Sequence, residues 1–549
     1  MKRVSRLLCQ WAGVGLALGA CSSKDNRQAE EVTKKKPNIL FIMSDDHAYQ
    51  AVSAYGHGIN KTPNIDRIAD EGAIFNNSFV TNSICGPSRA VMLTGKYSHQ
   101  NGFYANYVSV FDGKQQTLPK ILKGAGYTTA VVGKWHLGSD PTGFDYWNIL
   151  SGAGGQGDYY NPDFNEMGKE KIIDGYVTDI TTDLALNWLE KRDQEKPFML
   201  MLHQKAPHRN WMPRLDQLGK IKEGSAKLPS NFHDDYEGRG RAAREGQMEI
   251  KSIMRWGHDM KFTTQPNGEP CRPDFIRELN RMKPEERAKW DEYYTPIMEG
   301  FNKKPLEGKA LAEWKFQRYM HDYLNTVTTV DENVGRVLDY LDKKGLSDNT
   351  IVVYTSDQGF YLGEHGWFDK RFMYEQSLRM PLMVRYPKHI KPGTKVDDMV
   401  MNLDFMPTFL DYAGVDVPSD VQGASFKQVV EGKTPKTWRK SIYYHYYHYP
   451  GTHMVKRHYG VRTDRYKLIR FYHDNDEWEM YDLEKDPQEM TSVYGDPAYA
   501  EVQAEMMKVL AENQKKYGDD EQTSKRLFDQ EQINHTERVK KLHADAKKK

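Results

Sequence analysis

Short, almost uninterrupted runs of hydrophobic residues recur along the chain and predict buried β-strands. The clearest runs are residues 38–43, 128–132, 198–203, 350–355 and 382–386. Most are continuously apolar rather than alternating between apolar and polar residues, which is typical of strands covered on both faces. The pattern therefore predicts a central sheet with helices packed on both sides.

Hydrophobic residues with helical spacing lie between these runs. The apolar positions between residues 330 and 341 fall on one face of a helix, and Gly345 is a natural stop for it. The strand predicted at residue 350 follows at once. This helix-then-strand order predicts an α/β fold with a largely parallel central sheet flanked by helices.

Polar residues directly follow four of the predicted strands. The clusters are Ser44-Asp45-Asp46, Gly133-Lys134-Trp135-His136, Lys205-Ala206-Pro207-His208 and Ser356-Asp357-Gln358-Gly359. Open α/β sheets bind ligands beyond the carboxyl ends of their strands. We therefore expect the four clusters to meet in one site.

The chain divides into regions of different character. Residues 37–436 contain the predicted sheet and are expected to form the main domain. Residues from about 209 to 314 are polar with few periodic apolar positions, which predicts a partly helical insertion over the site. Residues 437–549 are rich in Tyr and His and contain a strand-like run at 465–471 and a helical stretch at 498–517. This region is predicted to be a smaller C-terminal α+β subdomain that ends in a charged tail.

The N-terminus has the pattern of an export signal. Basic residues precede an apolar stretch from residue 7 to 20, which is too short to span a bilayer and ends in small residues. The sequence Leu18-Gly19-Ala20-Cys21 resembles a bacterial lipobox, which implies that residues 1–21 form a lipoprotein signal and that Cys21 is acylated. The alternative is an ordinary signal peptide with a chance cysteine, but the polar tether at residues 22–36 favours the lipoprotein. We therefore expect an exported bacterial lipoprotein, periplasmic or anchored at the outer membrane through its N-terminal lipid.

Charge and cysteine content narrow the possible functions. The 549 residues include 77 Lys and Arg against 76 Asp and Glu, a formal net charge of +1. This balance excludes nucleic acid as an expected partner, because nucleic-acid binding requires a basic surface. Of the four cysteines, Cys9 is lost with the signal, Cys21 carries lipid and Cys85 has a separate use. A disulfide framework is therefore not expected, and Cys271 is predicted to be a buried or idle thiol.

The segment Cys85-Gly86-Pro87-Ser88-Arg89 predicts the start of a helix. Pro87 and Ser88 suit the first turn of a helix that ends near Gly95. Cys85 is then expected at the helix N-terminus, where free N–H groups favour an anion. From the residues alone, the alternative is a capped helix that carries a buried cysteine.

Several blocks together resemble the type I sulfatase family. They are Asp45-Asp46, Cys85-Gly86-Pro87-Ser88-Arg89 with Leu93-Thr94-Gly95-Lys96, the segment from Gly126 to Gly138, and Ser356-Asp357-Gln358-Gly359. The resemblance implies a fold like that of alkaline phosphatase and makes residues 37–436 the catalytic domain. It also implies that a formylglycine-generating maturase oxidises Cys85 to formylglycine, and that the enzyme uses Ca²⁺.

Four residues of these blocks offer hard oxygen ligands, namely Asp45, Asp46, Asp357 and Gln358. Oxygen-only sites suit Ca²⁺ or Mg²⁺ rather than Zn²⁺. The resemblance adds Cys85, as formylglycine, to this metal site and favours Ca²⁺. Many family members have Asn in place of Gln358, whose amide oxygen lies on a longer side chain. The alternative for the two adjacent acids is a turn or a helix cap.

The resemblance also implies the catalytic roles. The hydrated aldehyde at position 85 attacks sulfur, and sulfate then leaves as the aldehyde reforms. The supporting residues are Arg89, which holds the hydrate, Lys134 and Lys370, which contact sulfate oxygens, His136, which assists the elimination, and His208, which protonates the leaving oxygen. For each residue taken alone, the alternative is a salt bridge or a structural histidine.

The segment from Gly363 to Glu375 resembles sulfatases that act on 6-sulfated N-acetylglucosamine. Asp369 and Arg371 flank Lys370 and are expected to bind the 3- and 4-hydroxyls of the sugar; the alternative is a pair that holds the loop. Among the C-terminal histidines, His458 is predicted to line the pocket. The predicted reaction is exo-acting 6-O-desulfation of N-acetylglucosamine or glucosamine in glycosaminoglycans or mucin.

Other functions stay open on the sequence alone. A different sulfated sugar, galactose or a uronic acid, is one alternative. A phosphate or phosphonate ester hydrolase on the same fold is a second. A glycan-binding surface lipoprotein without activity is the third, and the complete set of catalytic residue types argues against it.

Overall fold

The computed structural model describes residues 35–106, 109–222, 224–473 and 475–546. The predicted export signal, Cys21 and most of the tether lie outside these residues, as do the last three residues of the charged tail. Residues Pro37–Lys549 form one compact unit. Within the described ranges, every helix is too short or too polar to cross a lipid bilayer.

All five predicted hydrophobic runs form strands. In chain order the strands are β1 Asn38–Ser44, β2 Ala73–Phe75, β3 Ser78–Phe79, β4 Thr128–Gly133, β5 Tyr146–Leu150, β6 Asp163–Glu166, β7 Lys169–Ile172, β8 Phe198–Gln204, β9 Thr350–Ser356, β10 Tyr361–Leu362, β11 Phe368–Asp369, β12 Leu382–Arg385, β13 Thr394–Val396, β14 Val400–Met401, β15 Ser441–Tyr446, β16 His458–Thr463, β17 Tyr466–Phe471 and β18 Glu477–Asp482.

Helices separate most of these strands. Those of seven or more residues are α1 Pro63–Asp70, α2 Cys85–Thr94, α3 Leu118–Gly124, α4 Val177–Lys191, α5 Pro273–Leu279, α6 Pro284–Lys303, α7 Gly308–Lys343, α8 Phe405–Ala413, α9 Ala500–Tyr517 and α10 Glu521–Ala546. One-turn helices occur at Ser98–Asn101, Gly152–Gly155, Arg241–Glu245, Ile250–Ile253, Glu375–Leu378 and Lys427–Val430. The predicted helix that ends before Gly345 is the second half of α7.

The central sheet has ten strands in the order β13-β2-β12-β9-β1-β8-β4-β5-β6-β7. The five middle strands, from β9 to β5, are parallel, as predicted. The sheet as a whole is mixed, because β12 and β6 pair antiparallel with their inner neighbours. A parallel neighbour requires a long crossover, usually a helix. Between β9 and β12 the described chain forms a short hairpin and two short helical turns but no crossover helix, and β12 returns in the opposite direction.

Both faces of the central strands are buried, which explains their continuous hydrophobicity. Along β1, Ile39, Phe41 and Met43 enter one hydrophobic cluster, whereas Leu40 and Ile42 enter another on the opposite face. The first cluster includes apolar residues of α2, α3 and α8, and the second includes those of α1, α4 and α7. Parallel strands covered in this way lose every exposed position.

Residues of the predicted C-terminal subdomain form a four-stranded antiparallel sheet in the order β15-β16-β17-β18. Its apolar residues, among them Ile442, Val461 and Leu468, belong to the same hydrophobic cluster as one face of the central sheet. The C-terminal sheet therefore shares its core with the rest of the compact unit. The domain boundary at residue 436 remains a prediction.

The region predicted as an insertion joins β8 to α7 and contains α5 and α6. It is partly helical, as predicted. Although the sequence here is mostly polar, the region contributes buried apolar residues to a hydrophobic cluster. Phe232, Met260 and Phe262 pack with residues of the first half of α7 in a third hydrophobic cluster. Cys271 is a buried free thiol in this region.

Candidate active site

The four polar clusters meet at one edge of the central sheet, as the sequence predicts. The strands that precede them, β9, β1, β8 and β4, are neighbours in the sheet. Their last residues are in register, since Ser44 lies opposite both Gln204 and Ser356, and Gly133 lies opposite His203. Parallel strands place all their carboxyl ends at the same edge. The loops that follow are therefore brought together.

The acidic residues after β1 and β9 form a buried cluster. Asp45, Asp46 and Asp357 are fully buried, and each offers an oxygen within 4.8 Å of the others. Asp357 Oδ1 accepts the backbone N–H of Asp46 at 3.2 Å. Asp46 has a φ of 63°, a conformation uncommon outside glycine, which turns the chain sharply after the strand. Three carboxylates at this separation require positive charge between or around them.

Cys85 is the first residue of α2 and lies beside this cluster. Its Sγ is 3.2 Å from Asp45 Oδ1. Burial raises the pKa of the Cys85 thiol to about 12, so the unmodified side chain is neutral. Gly86 is required next to it, because a Cβ there would lie 2.5 Å from the ring of Phe103. The Gly86 N–H instead donates to Asn106 Oδ1 at 3.0 Å.

Arg89 lies one helical turn after Cys85, on the same face of α2. Its Nε and Nη2 both donate to Asp357 Oδ2, at 3.0 and 2.9 Å. Its Nη1 donates to the carbonyl of Lys134 at 2.7 Å, and Nη2 lies 3.6 Å from Asp45 Oδ2. The guanidinium therefore joins α2 to the loops after β1, β4 and β9.

The two predicted sulfate-binding lysines each pair with one acid of the cluster. Lys370 Nζ donates to both oxygens of Asp46, at 2.5 and 2.6 Å, and Lys134 Nζ forms an ion pair with Asp45. Burial alone would lower the pKa of Lys370, but the Asp46 carboxylate raises it above its ordinary value. Both ammonium groups are buried beside Cys85, where an anionic group would meet them.

His136 and His208 approach the same point from the loops after β4 and β8. His208 Nδ1 lies 2.6 Å from the carbonyl of Arg209, which makes Nδ1 the donor and leaves Nε2 3.8 Å from Asp46 Oδ2. His136 Nε2 lies 3.0 Å from Gln156 Nε2. Burial and the positive charge of Lys134 lower the pKa of both histidines well below the ordinary value. Both rings are therefore neutral in this arrangement.

The acidic cluster fits a divalent cation with oxygen ligands. Gln358 Nε2 donates to Asp46 Oδ1, and Gln358 Oε1 is buried with no hydrogen-bond partner among the described residues. Three carboxylates and an orphaned amide oxygen are hard donors of the kind that Ca²⁺ and Mg²⁺ prefer. Lys134, Lys370 and Arg89 hold these carboxylates in the present structure. The predicted ligands are thus in one place and chemically suitable.

A cavity of about 130 Å³ opens beside Cys85. Predicted residues that line it are Cys85, His208, Asp369, Lys370 and Arg371. His448 and His453 also line it, and both belong to the group of C-terminal histidines among which the sequence favours His458. The sequence did not identify Asn106, Gln156 or Arg209, which line it as well. Nothing in the local sequence marks Gln156 or favours His453 over His458, because their partners lie far away along the chain.

Asp369 and Arg371 form a compact group with His453 at this cavity. Arg371 Nη1 pairs with Asp369 Oδ1, and His453 Nε2 lies 3.2 Å from Asp369 Oδ2. Asp369 and Arg371 have φ values of 78° and 97°, on either side of Lys370. This rare backbone path turns the flanking side chains toward the cavity while Lys370 reaches Asp46.

The prediction that His458 lines the pocket is wrong. His458 is fully buried in the C-terminal sheet, where its ring packs against Tyr444, Phe372 and Phe471. Its Nδ1 lies 2.8 Å from the Lys456 carbonyl. The first residue of a fully buried strand faces core, not ligand. The cavity histidines come instead from the loop that precedes the strand.

Comparison with known proteins assigns the chain to a family. Residues 37–415 match the family model described as Sulfatase, and residues 363–516 match the one described as N-sulphoglucosamine sulphohydrolase, C-terminal. The chain therefore belongs to the sulfatase family, whose members generally use a formylglycine and a divalent metal ion. The family predicted from the sequence blocks is confirmed.

Individual relatives agree with this assignment. The chain is 55% identical to N-acetylglucosamine-6-O-sulfatase of Bacteroides thetaiotaomicron over 516 residues, which cover 93% of this chain and 91% of the relative. It is 28% identical to an arylsulfatase of Clostridium perfringens over 517 residues, covering 86% and 94%. The protein is thus a sulfatase, an enzyme that hydrolyses sulfate esters.

Solved structures confirm the predicted α/β, alkaline-phosphatase-like fold. A protein in complex with its substrate D-glucosamine-2-N,6-O-disulfate matches with a TM-score of 0.86 at 55% identity, covering 89% of this chain and 99% of that one. Phosphonate monoester hydrolase of Agrobacterium radiobacter shares the fold with a TM-score of 0.61 at 20% identity, covering 88% and 96%.

Proposed function

We propose that this sulfatase removes the 6-O-sulfate from N-acetylglucosamine or glucosamine at the non-reducing end of sulfated glycans such as glycosaminoglycans. The observation that carries the proposal is the group formed by Asp369, Arg371 and His453, which lines the same cavity as Lys370 and Cys85. The 55% identical relative, named for the same activity, supports it.

The position of this group explains the proposed preference for chain ends. Asp369 and Arg371 are charged, almost completely buried and adjacent to the lysine that receives the sulfate. Charge-assisted hydrogen bonds from these side chains to O3 and O4 would hold the terminal sugar. A sugar linked through O4 would collide with the same group. The axial O4 of galactose would miss a partner placed for an equatorial hydroxyl.

The implied cofactors are a formylglycine at position 85 and a Ca²⁺ ion held by Asp45, Asp46, Asp357, Gln358 and the modified residue. Together they supply a hydroxyl nucleophile and a positive charge next to the sulfate. The side chains of this protein would neutralise charge, position the reacting groups and transfer protons. Lys134 and Lys370 neutralise sulfate oxygens, and Arg89 holds the group at position 85 against Asp357. His136 and His208 are the candidates for moving protons at the nucleophile and at the leaving oxygen.

The proposal extends to maturation and location. A formylglycine-generating maturase is required as a partner, because the genetic code supplies only Cys85. The lipobox at Cys21 supports an exported lipoprotein that is periplasmic or attached to the outer membrane by its lipid. Replacement of Cys21 by Ala should release the protein from membrane fractions, whereas an unchanged distribution would contradict the anchor.

The substrate is tested by producing the enzyme together with a maturase and measuring hydrolysis of matched compounds. We expect kcat/KM for 6-sulfated N-acetylglucosamine to exceed the values for 6-sulfated galactose and 2-sulfated uronic acid. Asp369→Ala and Arg371→Ala should each lower this kcat/KM by about 100-fold or more. Each substitution removes the partner of a sugar hydroxyl and leaves that hydroxyl unpaired in a buried site. His458→Phe serves as a control from the C-terminal sheet and should have little effect.

The same panel includes a phosphate and a phosphonate ester. Preference for either ester would refute the assignment to sulfate. Preference for galactose or uronic acid would refute only the sugar. Mass spectrometry of the peptide that spans Cys85 completes the test, since an unmodified thiol in fully active enzyme contradicts the formylglycine.

A further inference from the structure

A second cavity lies within the predicted insertion. Its volume is about 280 Å³, and its lining includes Arg255, Trp256, His258, Arg272 and Lys315. No residue of the proposed reaction contributes to it. Ligand cavities have volumes of roughly 300 to 1,000 Å³, so this cavity has room for about one sugar residue.

One buried acid, Asp259, connects a residue of the active-site cavity with a residue of the second cavity. Arg209 lines the active-site cavity, and its Nε donates to Asp259 Oδ1 at 2.7 Å. Asp259 in turn accepts the backbone N–H of Arg255 at 2.7 Å, and its sequence neighbour His258 lines the second cavity. The ion pair between Arg209 and Asp259 therefore fixes the loop that carries Arg255 and His258 against the edge of the active site.

The second cavity has an excess of positive charge. Its basic residues are Arg255, Arg272 and Lys315, and Asp274 is the acid among the residues that line it. Asp274 Oδ2 lies 3.8 Å from both guanidinium groups, beyond hydrogen-bond distance. Burial and the positive charges of Arg209 and Arg272 lower the pKa of Arg255, although Asp259 and Asp274 act in the opposite direction. Asp274 therefore balances only part of the positive charge of the two arginines, and an anionic ligand would be attracted to the remainder.

Lys315 holds the loop that precedes Arg255. Its Nζ donates to the carbonyls of Lys251 and Met254, at 2.8 and 2.9 Å, and lies 4.7 Å above the ring of Trp256. Two of its three N–H donors are therefore engaged by the loop. The side chains of Arg255 and Arg272 are 44% and 65% exposed and remain accessible to a ligand.

We propose that this cavity is a second glycan subsite, which binds the carboxylate or sulfate of a sugar that follows the terminal glucosamine. The inference rests on the proposed function, because it places the rest of the polyanionic chain beyond the residue held at Asp369 and Arg371. Arginine is the side chain best suited to such groups, since its planar guanidinium binds carboxylate or sulfate oxygens in pairs. A monosaccharide that fills the active-site cavity leaves this subsite empty.

The test compares two substrates with the same terminal residue, 6-sulfated N-acetylglucosamine and a sulfated tetrasaccharide. The double variant Arg255→Ala/Arg272→Ala should lower kcat/KM for the tetrasaccharide about 10-fold or more, mainly through KM, and change the monosaccharide value less than about two-fold. The loss should shrink at high ionic strength, where exposed charges are screened. Arg287→Ala, at a half-buried arginine on α6 paired with Asp291, is the matched control and should leave both substrates unaffected.

Equal losses on both substrates, or no loss on the tetrasaccharide, would overturn the subsite. The charge-conserving variant Arg255→Lys/Arg272→Lys should retain part of the wild-type kcat/KM for the tetrasaccharide. It serves as a control for misfolding of the alanine variant. Calorimetric binding of the tetrasaccharide to Cys85→Ala enzyme separates the two proposals. Weaker binding on removal of both arginines supports the subsite even where no sulfate ester is cleaved, and unchanged binding refutes it whatever the substrate of the active site.

Discussion

Gln156 joins two residues to which the proposed mechanism assigns different tasks. Its Oε1 accepts from Lys134 Nζ, and its Nε2 lies 3.0 Å from His136 Nε2. The preceding loop is rich in glycine, and Ala153, Gly154 and Gly155 all have positive φ values. Such a loop can bring a backbone close to the site without bulky side chains. Gln156 is therefore a positioning residue for both the lysine and the histidine.

Loss of this amide should affect turnover more than substrate binding. Gln156→Ala is expected to lower kcat by about 10- to 100-fold, because small misplacements of catalytic groups are costly. KM should change by less than about three-fold. Gln156→Glu keeps an acceptor for Lys134 but removes the donor to His136, so it should recover only part of kcat. The measurement is steady-state kinetics on 6-sulfated N-acetylglucosamine.

Gln194→Ala is the matched control, since among the described residues Gln194 bonds only to Arg192 and to the last turn of α4. A fall in KM and kcat together, or no change in either, would contradict the positioning role. So would full activity in Gln156→Glu.

The site residues that the sequence predicts are those that follow strands or sit in short motifs. Asp45, Lys134 and Asp357 directly follow buried strands, and the topology alone brings them together. Gln156 and His453 depend on partners that are 22 and 84 residues away in the sequence, as for Lys134 and Asp369. The prediction for His458 fails because the alternation of side chains along β16 turns it into the aromatic core. When both faces of a strand are buried, the hydrophobic pattern does not show which face a given side chain lies on.

The junction between α9 and α10 is tied to the C-terminal sheet through one buried acid. Asp519 Oδ2 accepts from His445 Nδ1 at 2.6 Å and from the hydroxyls of Tyr443 and Tyr447 at 3.0 and 3.1 Å. Burial alone would raise the pKa of Asp519, but His445 and its other partners lower it to about 2. The sequence predicts the helical stretch at residues 498–517 but gives no sign of this long-range cluster.

Replacement of this acid should destabilise the fold in a pH-dependent way. Because the folded pKa lies below the unfolded value of 3.8, the carboxylate stabilises the fold above pH 3.8, and this contribution is lost as the pH falls toward about 2. Asp519→Asn is therefore expected to lower the free energy of unfolding at pH 7 by roughly 2 kcal/mol. The difference from wild type should narrow below about pH 4. Urea unfolding at both pH values measures it.

Glu512→Gln, an exposed acid on α9, is the control and should unfold like the wild type at each pH. A constant difference between Asp519→Asn and wild type across the pH range would show that the carboxylate charge is not the source of stability.

The elements themselves follow from hydrophobic pattern to different degrees. The middle strands of the sheet are evident because burial on both faces leaves no polar position in them, as in β1 and β9. The short edge strands such as β13 and the exposed β7 carry no such signal. The first half of α7 was hidden for another reason: it is buried among residues of the insertion, and its own sequence there is mixed in character.

At the scale of the whole molecule, the acidic cluster holds together three loops that are far apart in sequence. Asp46 and Asp357 are linked across 311 positions, and Arg89 bridges 268 positions to Asp357. Three buried carboxylates repel one another. The surrounding lysines and Arg89 balance this negative charge only as long as they are not bound to a substrate anion. A divalent cation at this point would therefore stabilise the fold as well as the reaction.

Metal removal should consequently lower stability and activity together. We expect a chelator that prefers Ca²⁺ to reduce the melting temperature and abolish hydrolysis, and added Ca²⁺ to restore both better than Zn²⁺. A ligand present at about 100 times its Kd stabilises the native state by roughly 2.7 kcal/mol, enough to be seen in a thermal melt. Gln358→Asn should retain the Ca²⁺-dependent shift because the amide oxygen is kept, whereas Gln358→Leu and Asp357→Asn should weaken it. Identical melting curves with chelator and with Ca²⁺, in protein shown by elemental analysis to contain no metal, would contradict the assignment of these residues as ligands.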